Sequence, residues 1–198
     1  MPPYWFVFDL DETLTHMNPY FATICSFFTD EVAIEAGAAH MAVARSAVLD
    51  GPLQTAYENF VRAVAAEELG PTPLGVVRPG VIELFREIGR LKDAGLAGGA
   101  FIYSNNGTMR ILQFVADVIH EALGRRDLFC DYSHLRDPRR IPDKPTPEDK
   151  PLKLFQRIQD IILTGPCSAV AAPAAEDVFF FDDTIPVSYT HLTLPTKA

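Results

Sequence analysis

The chain has 198 residues, 48% of them hydrophobic, and a formal net charge of −9. That size and composition suit one compact domain with a modest insertion. The acidic balance argues against general binding to nucleic acid or membrane surfaces. The three cysteines, Cys25, Cys130 and Cys167, match no zinc or redox spacing and are expected as small buried hydrophobes in a reducing compartment. No apolar run reaches the length of a membrane span, and Met1 leads almost at once into an apolar strand, so a cytoplasmic protein without a signal peptide is expected.

The first predicted element, Pro3–Asp9, is apolar at consecutive positions, as in a parallel strand covered on both faces. It runs into Asp9-Leu10-Asp11-Glu12-Thr13. Residues two apart in a strand point to one face, so Asp9 and Asp11 should project together where the strand ends. Carboxylates that close repel, which implies either a cation between them or a shared proton. The segment resembles the nucleophile motif D-x-D-x-T of the haloacid dehalogenase superfamily, in its phosphatase branch.

Residues 17–77 interrupt the strand pattern. They are rich in Ala, Phe and Val, break near Gly37, Gly51-Pro52 and Gly70-Pro71, and predict helices over roughly 19–36, 39–49 and 52–69. The resemblance implies a small cap over the active site; a helical extension packed on the side of the core is the alternative. Arg78-Pro79-Gly80 then punctuates the chain. Val81, Leu84, Phe85, Ile88 and Leu91 keep helical spacing up to Gly95. A second strand is predicted over Gly99–Ser104, followed by a helix whose apolar stripe is Ile111, Leu112, Val115, Val118, Ile119 and Leu123, a strand over Leu128–Tyr132, a helix around Leu154–Ile162 and a strand over Asp177–Asp182. An irregular loop is expected between Leu163 and Glu176. Strands alternating with helices mean an α/β domain with a mainly parallel sheet. The expected architecture is therefore a Rossmann-like three-layer core, residues 1–16 and 78–186, with the helical insertion 17–77.

The resemblance assigns the remaining parts. Ser104, with Asn105 beside it, ends the second strand where the superfamily binds the transferring phosphoryl group. A helix opening after Gly107 would favour an anion as well. The superfamily also needs a lysine before its fourth motif. Lys144, Lys150 and Lys153 compete, and Lys150 is preferred because Pro151 fits the first helical position, with Lys144 second. Residues 125–157 hold nine of the seventeen Lys and Arg, a cluster suited to a phosphorylated substrate in an acidic protein. Phe179-Phe180-Phe181-Asp182-Asp183 is a second apolar strand ending in paired acids. It is similar to the magnesium-dependent phosphatases with a Phe-Phe-Asp-Asp ending, which implies Asp183 as a direct Mg²⁺ ligand supported by Asp182. Hard oxygen donors suit Mg²⁺ rather than zinc.

Taken over together, these parts imply a phosphate monoester hydrolase. Asp9 is the nucleophile, Asp11 the general acid and base, and Lys150 and Ser104 stabilise the phosphoryl oxygens. Mg²⁺ is held by Asp9, the Asp11 carbonyl and Asp183. The expected partner is a phosphorylated small molecule or phosphoprotein, with no requirement for nucleic acid or membrane. A catalytically silent domain binding a phosphorylated ligand or partner protein is the alternative, and a phosphotransferase a third option. Residues 187–196, Val-Ser-Tyr-Thr-His-Leu-Thr-Leu-Pro-Thr, read as a frame of a transposon-based sequencing adapter. Residues 187–198 are thus expected to be a non-native tail, and the fifth strand usual for the superfamily is expected to be missing.

Overall fold

The computed structural model describes residues 3–29, 51–106, 109–133, 150–164 and 173–182. The expected helix over 39–49 and the tail 187–198 lie outside them. The described elements are β1 (Tyr4–Phe8), α1 (Pro19–Thr29), α2 (Gly51–Glu68), α3 (Val81–Asp93), β2 (Ala97–Tyr103), α4 (Met109–Leu123), β3 (Phe129–Ser133), α5 (Lys150–Thr164) and β4 (Val178–Phe181). The four strands form one sheet in the order β3-β2-β1-β4, with every neighbouring pair parallel. Five helices accompany it among the described residues, which makes an α/β fold compatible with a Rossmann-like layout. None of those helices is long and apolar enough to cross a membrane.

Alternation along β1 separates two apolar layers. Phe6 and Phe8 join Phe21, Val61, Phe85, Leu112 and Phe114 in one cluster, shared with α1, α2, α3 and α4. Trp5 and Val7 join Phe101, Val178, Phe180 and the α5 residues Ile158, Ile161 and Ile162 in the other. Consecutive apolar residues in β1 therefore reflect helices on both faces, as expected of a central parallel strand.

α3 buries a single stripe, Val81, Ile82, Phe85 and Ile88, and ends where Gly95 adopts φ +71°. α4 is buried more widely, with Phe114 and Ala116 fully enclosed in addition to the expected stripe. The cause is a second layer outside it. Phe60 of α2 stacks on Phe114 at 5.5 Å, Phe28 of α1 meets the same ring at 5.4 Å, and the Tyr57 hydroxyl donates to Asp117 at 2.6 Å. The described helices of residues 17–77 thus share the apolar cluster of the sheet. α5 begins at Lys150, one residue before the expected start, and Pro151 falls in the first turn, where its missing N–H costs nothing. α1 starts on an Asn18 cap, whose Oδ1 accepts the Phe21 N–H at 2.8 Å.

Gly98 and Gly99 let β2 pass close to its neighbours. A Cβ at Gly98 would collide with the Trp5 indole, and one at Gly99, where φ is +154°, with Cys130 Sγ. Cys130 is disulfide-bonded, and Cys25 carries a half-buried thiol. Of the expectation of small buried hydrophobes in a reducing compartment, Cys130 keeps the burial and departs in its disulfide, since separation along a sequence does not limit proximity in a fold. His120 is 5% exposed and its Nε2 accepts the Phe129 N–H at 3.4 Å. Burial, with the nearby Arg126 charge adding to it, pushes its pKa down to about 4.

Two outcomes follow for stability. Gly98→Ala should destabilise the chain by about 2–3 kcal/mol through overpacking against Trp5, read by urea unfolding. His120 is neutral when folded down to about pH 4, whereas unfolded it binds a proton below about 6.5. The unfolded state therefore holds more protons between those values, and stability falls as pH drops through that window. Relative to His120→Gln, the wild type should lose roughly 2 kcal/mol between pH 6.5 and 4, a figure discounted for partial solvent access. A pH-independent difference between the two proteins would contradict this.

Candidate active site

Three adjacent strands end in polar residues at the same edge of the sheet. β1 is followed by Asp9, β2 by Ser104 and β4 by Asp182. The register fixes this alignment: Phe8 pairs with Ile102 on one side and with Phe181 on the other. The Asp9 N–H donates to the Phe181 carbonyl at 2.9 Å, so β1 and β4 stay joined up to the acids themselves. The chain leaves β1 for β2 through helices on one face, then returns from β3 to β4 through α5 on the other. The carboxyl ends of β1 and β4 consequently flank the point where connections diverge, the usual ligand crevice of an open α/β sheet.

Asp9 is half-buried, and the Leu10 N–H and the Ser104 side chain lie close enough to its carboxylate to favour its charge. Burial pushes its pKa up to about 6, and the charges of Asp182 and Asp11 add to the rise against those two hydrogen bonds. Ser104 is 1% exposed. Its N–H donates to the Ser133 carbonyl at 2.9 Å, and its Oγ accepts the Asn106 N–H at 3.1 Å. The Ser104 backbone is thus tied to β3 and its hydroxyl to the turn that follows, beside Asp9. Asn105, the neighbouring expected phosphate contact, is exposed.

Asp11 lies in a tight turn. The Leu10 carbonyl accepts the N–H groups of Leu14 and Thr15, each at 3.0 Å, and also the Thr15 hydroxyl at 3.0 Å. Glu12 takes φ +57°, a left-handed conformation uncommon for a non-glycine residue. The Glu12 carboxylate accepts the Met17 N–H at 2.8 Å, and its carbonyl accepts a hydrogen bond from the Arg78 guanidinium. Behind the turn, burial pushes the Cys25 thiol up to about 12, with the negative charge of Asp11 contributing.

The structure therefore brings together Asp9, Asp11, Ser104 and Asp182 of the residues expected from sequence. Lys144 and Asp183 lie outside the described residues, as does the Lys150 side chain, although Lys150 opens α5. Sequence reasoning missed Arg78 and Glu12 as supports of the turn. In the sequence Arg78 marks only the punctuation before a helix, and no local pattern in the chain signals that its side chain reaches 66 residues back to the Glu12 carbonyl.

Asp9, Asp11 and Asp182 are hard oxygen donors whose mutual charge raises the Asp9 pKa. That donor chemistry fits Mg²⁺. Among the described residues, however, no group of three or more His, Cys, Asp or Glu is arranged to hold a metal ion. Fold and site together define an α/β protein with acids and a buried serine at the carboxyl edge of a parallel sheet. No family model matches the chain, nor does any curated protein or solved structure.

Ser104→Ala should raise the Asp9 pKa above about 6, because the hydroxyl stabilises the ionised carboxylate. Carbon-detected NMR titration of the metal-free protein measures this; an unmoved or lowered pKa would remove Ser104 from the site.

Proposed function

We propose that the chain is a magnesium-dependent phosphatase of the haloacid dehalogenase type, hydrolysing a phosphate monoester through an aspartyl-phosphate intermediate. The observation that carries this reading is the buried Ser104 beside the half-buried Asp9 carboxylate, at the carboxyl ends of adjacent parallel strands. A nucleophile and a donor for phosphoryl oxygens need that proximity. The D-x-D-x-T wording of residues 9–13 and the acids after β4 support the same chemistry.

In this mechanism Asp9, ionised, attacks phosphorus and forms an acyl phosphate as the ester P–O bond breaks. Asp11 gives its proton to the departing ester oxygen, which leaves as an alcohol. The resulting Asp11 carboxylate then takes a proton from a water that attacks the phosphoryl group, releasing phosphate and restoring both acids. Ser104 donates to a phosphoryl oxygen, and Lys150, at the start of α5, is the preferred cation for the same charge. Asp9, the Asp11 carbonyl, Asp182 and Asp183 are the residues to hold Mg²⁺, which when bound neutralises charge between the nucleophile and an anionic substrate. The substrate is a phosphorylated small molecule or phosphoprotein.

A silent domain that binds a phosphorylated ligand is the second reading, favoured by the incomplete metal-ligand set among the described residues. Turnover of p-nitrophenyl phosphate separates the two. The wild type with Mg²⁺ should be active, EDTA should abolish turnover, and Asp9→Asn should lower kcat by about 1,000-fold or more. Equal rates in all three conditions would leave the binding-domain reading standing.

A further inference from the structure

We propose that Glu68 is a positioning residue for the turn that carries Asp9 and Asp11; its catalytic meaning rests on the phosphatase reading above. Glu68 is the last residue of α2, far from the motif in sequence and only 7% exposed. Its carboxylate accepts the Val76 N–H at 2.8 Å, and the Gly75 and Val77 N–H groups lie close enough to favour its charge. A carboxylate in so enclosed a place is costly unless such donors surround it. The side chain thereby fastens the segment 75–78 through Val76, with the Gly75 and Val77 amides beside it.

That segment is in turn bound to the motif turn. The Val76 carbonyl accepts the His16 N–H at 3.4 Å, and the Arg78 N–H donates to the Leu14 carbonyl at 2.9 Å. Val77 bridges antiparallel to Thr15, which itself bridges Asp11. The Arg78 guanidinium reaches the Glu12 carbonyl, at the residue with φ +57°. A glutamate persists in that conformation when its surroundings over-determine it, and segment 75–78 supplies those surroundings. The Asn18 amide closes the assembly by donating to the Gly75 carbonyl at 2.8 Å. Each link is a direct contact, so Glu68 reaches the Asp11 turn through one strap of four residues.

The test uses Glu68→Gln, which removes the charge and can turn an amide donor towards the Val76 N–H, and Glu68→Asp, which keeps the charge but shortens the reach. Val61→Ala, in the same helix and buried against the core, serves as the purely structural comparison. With p-nitrophenyl phosphate and Mg²⁺, Glu68→Gln should lose about 10-fold or more in kcat with KM within about twofold, and Glu68→Asp should fall between it and wild type. Hydrogen exchange at the His16, Val76 and Arg78 amides should quicken by about 10-fold in Glu68→Gln, with α3 amides unchanged. Val61→Ala should lower Tm without either effect. Unchanged exchange at those three amides overturns the proposal, as does a kcat loss that Val61→Ala reproduces at equal Tm. Should Glu68→Gln fail to fold, the same criteria apply to Glu68→Asp. If the wild type turns over no phosphate ester, the phosphatase reading falls, and the exchange measurements alone decide whether Glu68 holds the turn.

Discussion

The pairing of β1 with β4 is the constraint on which the rest of the molecule depends. It joins two strands from opposite ends of the chain, each ending in acids. The pairing is in register, Phe6 beside Phe179 and Phe8 beside Phe181, and both ring pairs stack, at 5.6 and 4.7 Å. Cross-strand aromatic pairs of this kind contribute on the order of 0.5–1 kcal/mol each beyond their burial. A slip by one residue would turn every side chain of β4 to the other face and withdraw Asp182 from Asp9. Apolar contact thus holds together charges that would otherwise separate. The repulsion appears in the raised Asp9 pKa, where burial is the larger cause and Asp182 the next charge.

The layers explain why those acids meet at an edge. α5 packs Ile158, Ile161 and Ile162 on the Trp5 and Val7 face, while α3 and α4 cover the Phe6 and Phe8 face. β1 is therefore enclosed on both sides and by strands on both flanks, which leaves its carboxyl end as its way out to solvent. α1 and α2 add a further layer over α4. Because Val61, Val64 and Ala65 belong to the same cluster as Phe8 and Phe85, α2 is fastened to the layers that hold the site. The segment after α2 then passes beside the Asp11 turn, so one helix serves both the core and the strap.

Much of this was legible in the sequence because strands buried on both faces write themselves as uninterrupted apolar runs. Trp5–Phe8, Ala100–Tyr103 and Val178–Phe181 all fall inside expected strands, and the acids after the first and last lie where the pattern put them. The 3–4 spacing of Val81, Phe85 and Ile88 likewise marked α3. Strand order and the α2–α4 contact were not legible, since adjacency in space leaves no periodic trace. The wide burial of α4 shows this well: Phe114 lies off the expected stripe and is explained only by Phe28 and Phe60 beyond it. Glu68 and Arg78 escaped for a different reason. Each acts by a hydrogen bond to backbone, and backbone partners carry no residue-type signature.

The two adjacent glycines in β2 have one more consequence. By giving up its side chain, Gly98 makes room for Trp5, as Gly99 does for Cys130; Trp5 is the single tryptophan of the chain, 3% exposed and 5.5 Å from the Phe101 ring. The indole sits on the strand that ends in Asp9, sealed between β2 and the layer of α5. Its fluorescence therefore comes from one place only, and that place is the spine of the site. Any event that loosens β1 from β2 admits water to the ring and shifts its emission to the red, so the molecule carries its own optical gauge of the strand on which its chemistry is built.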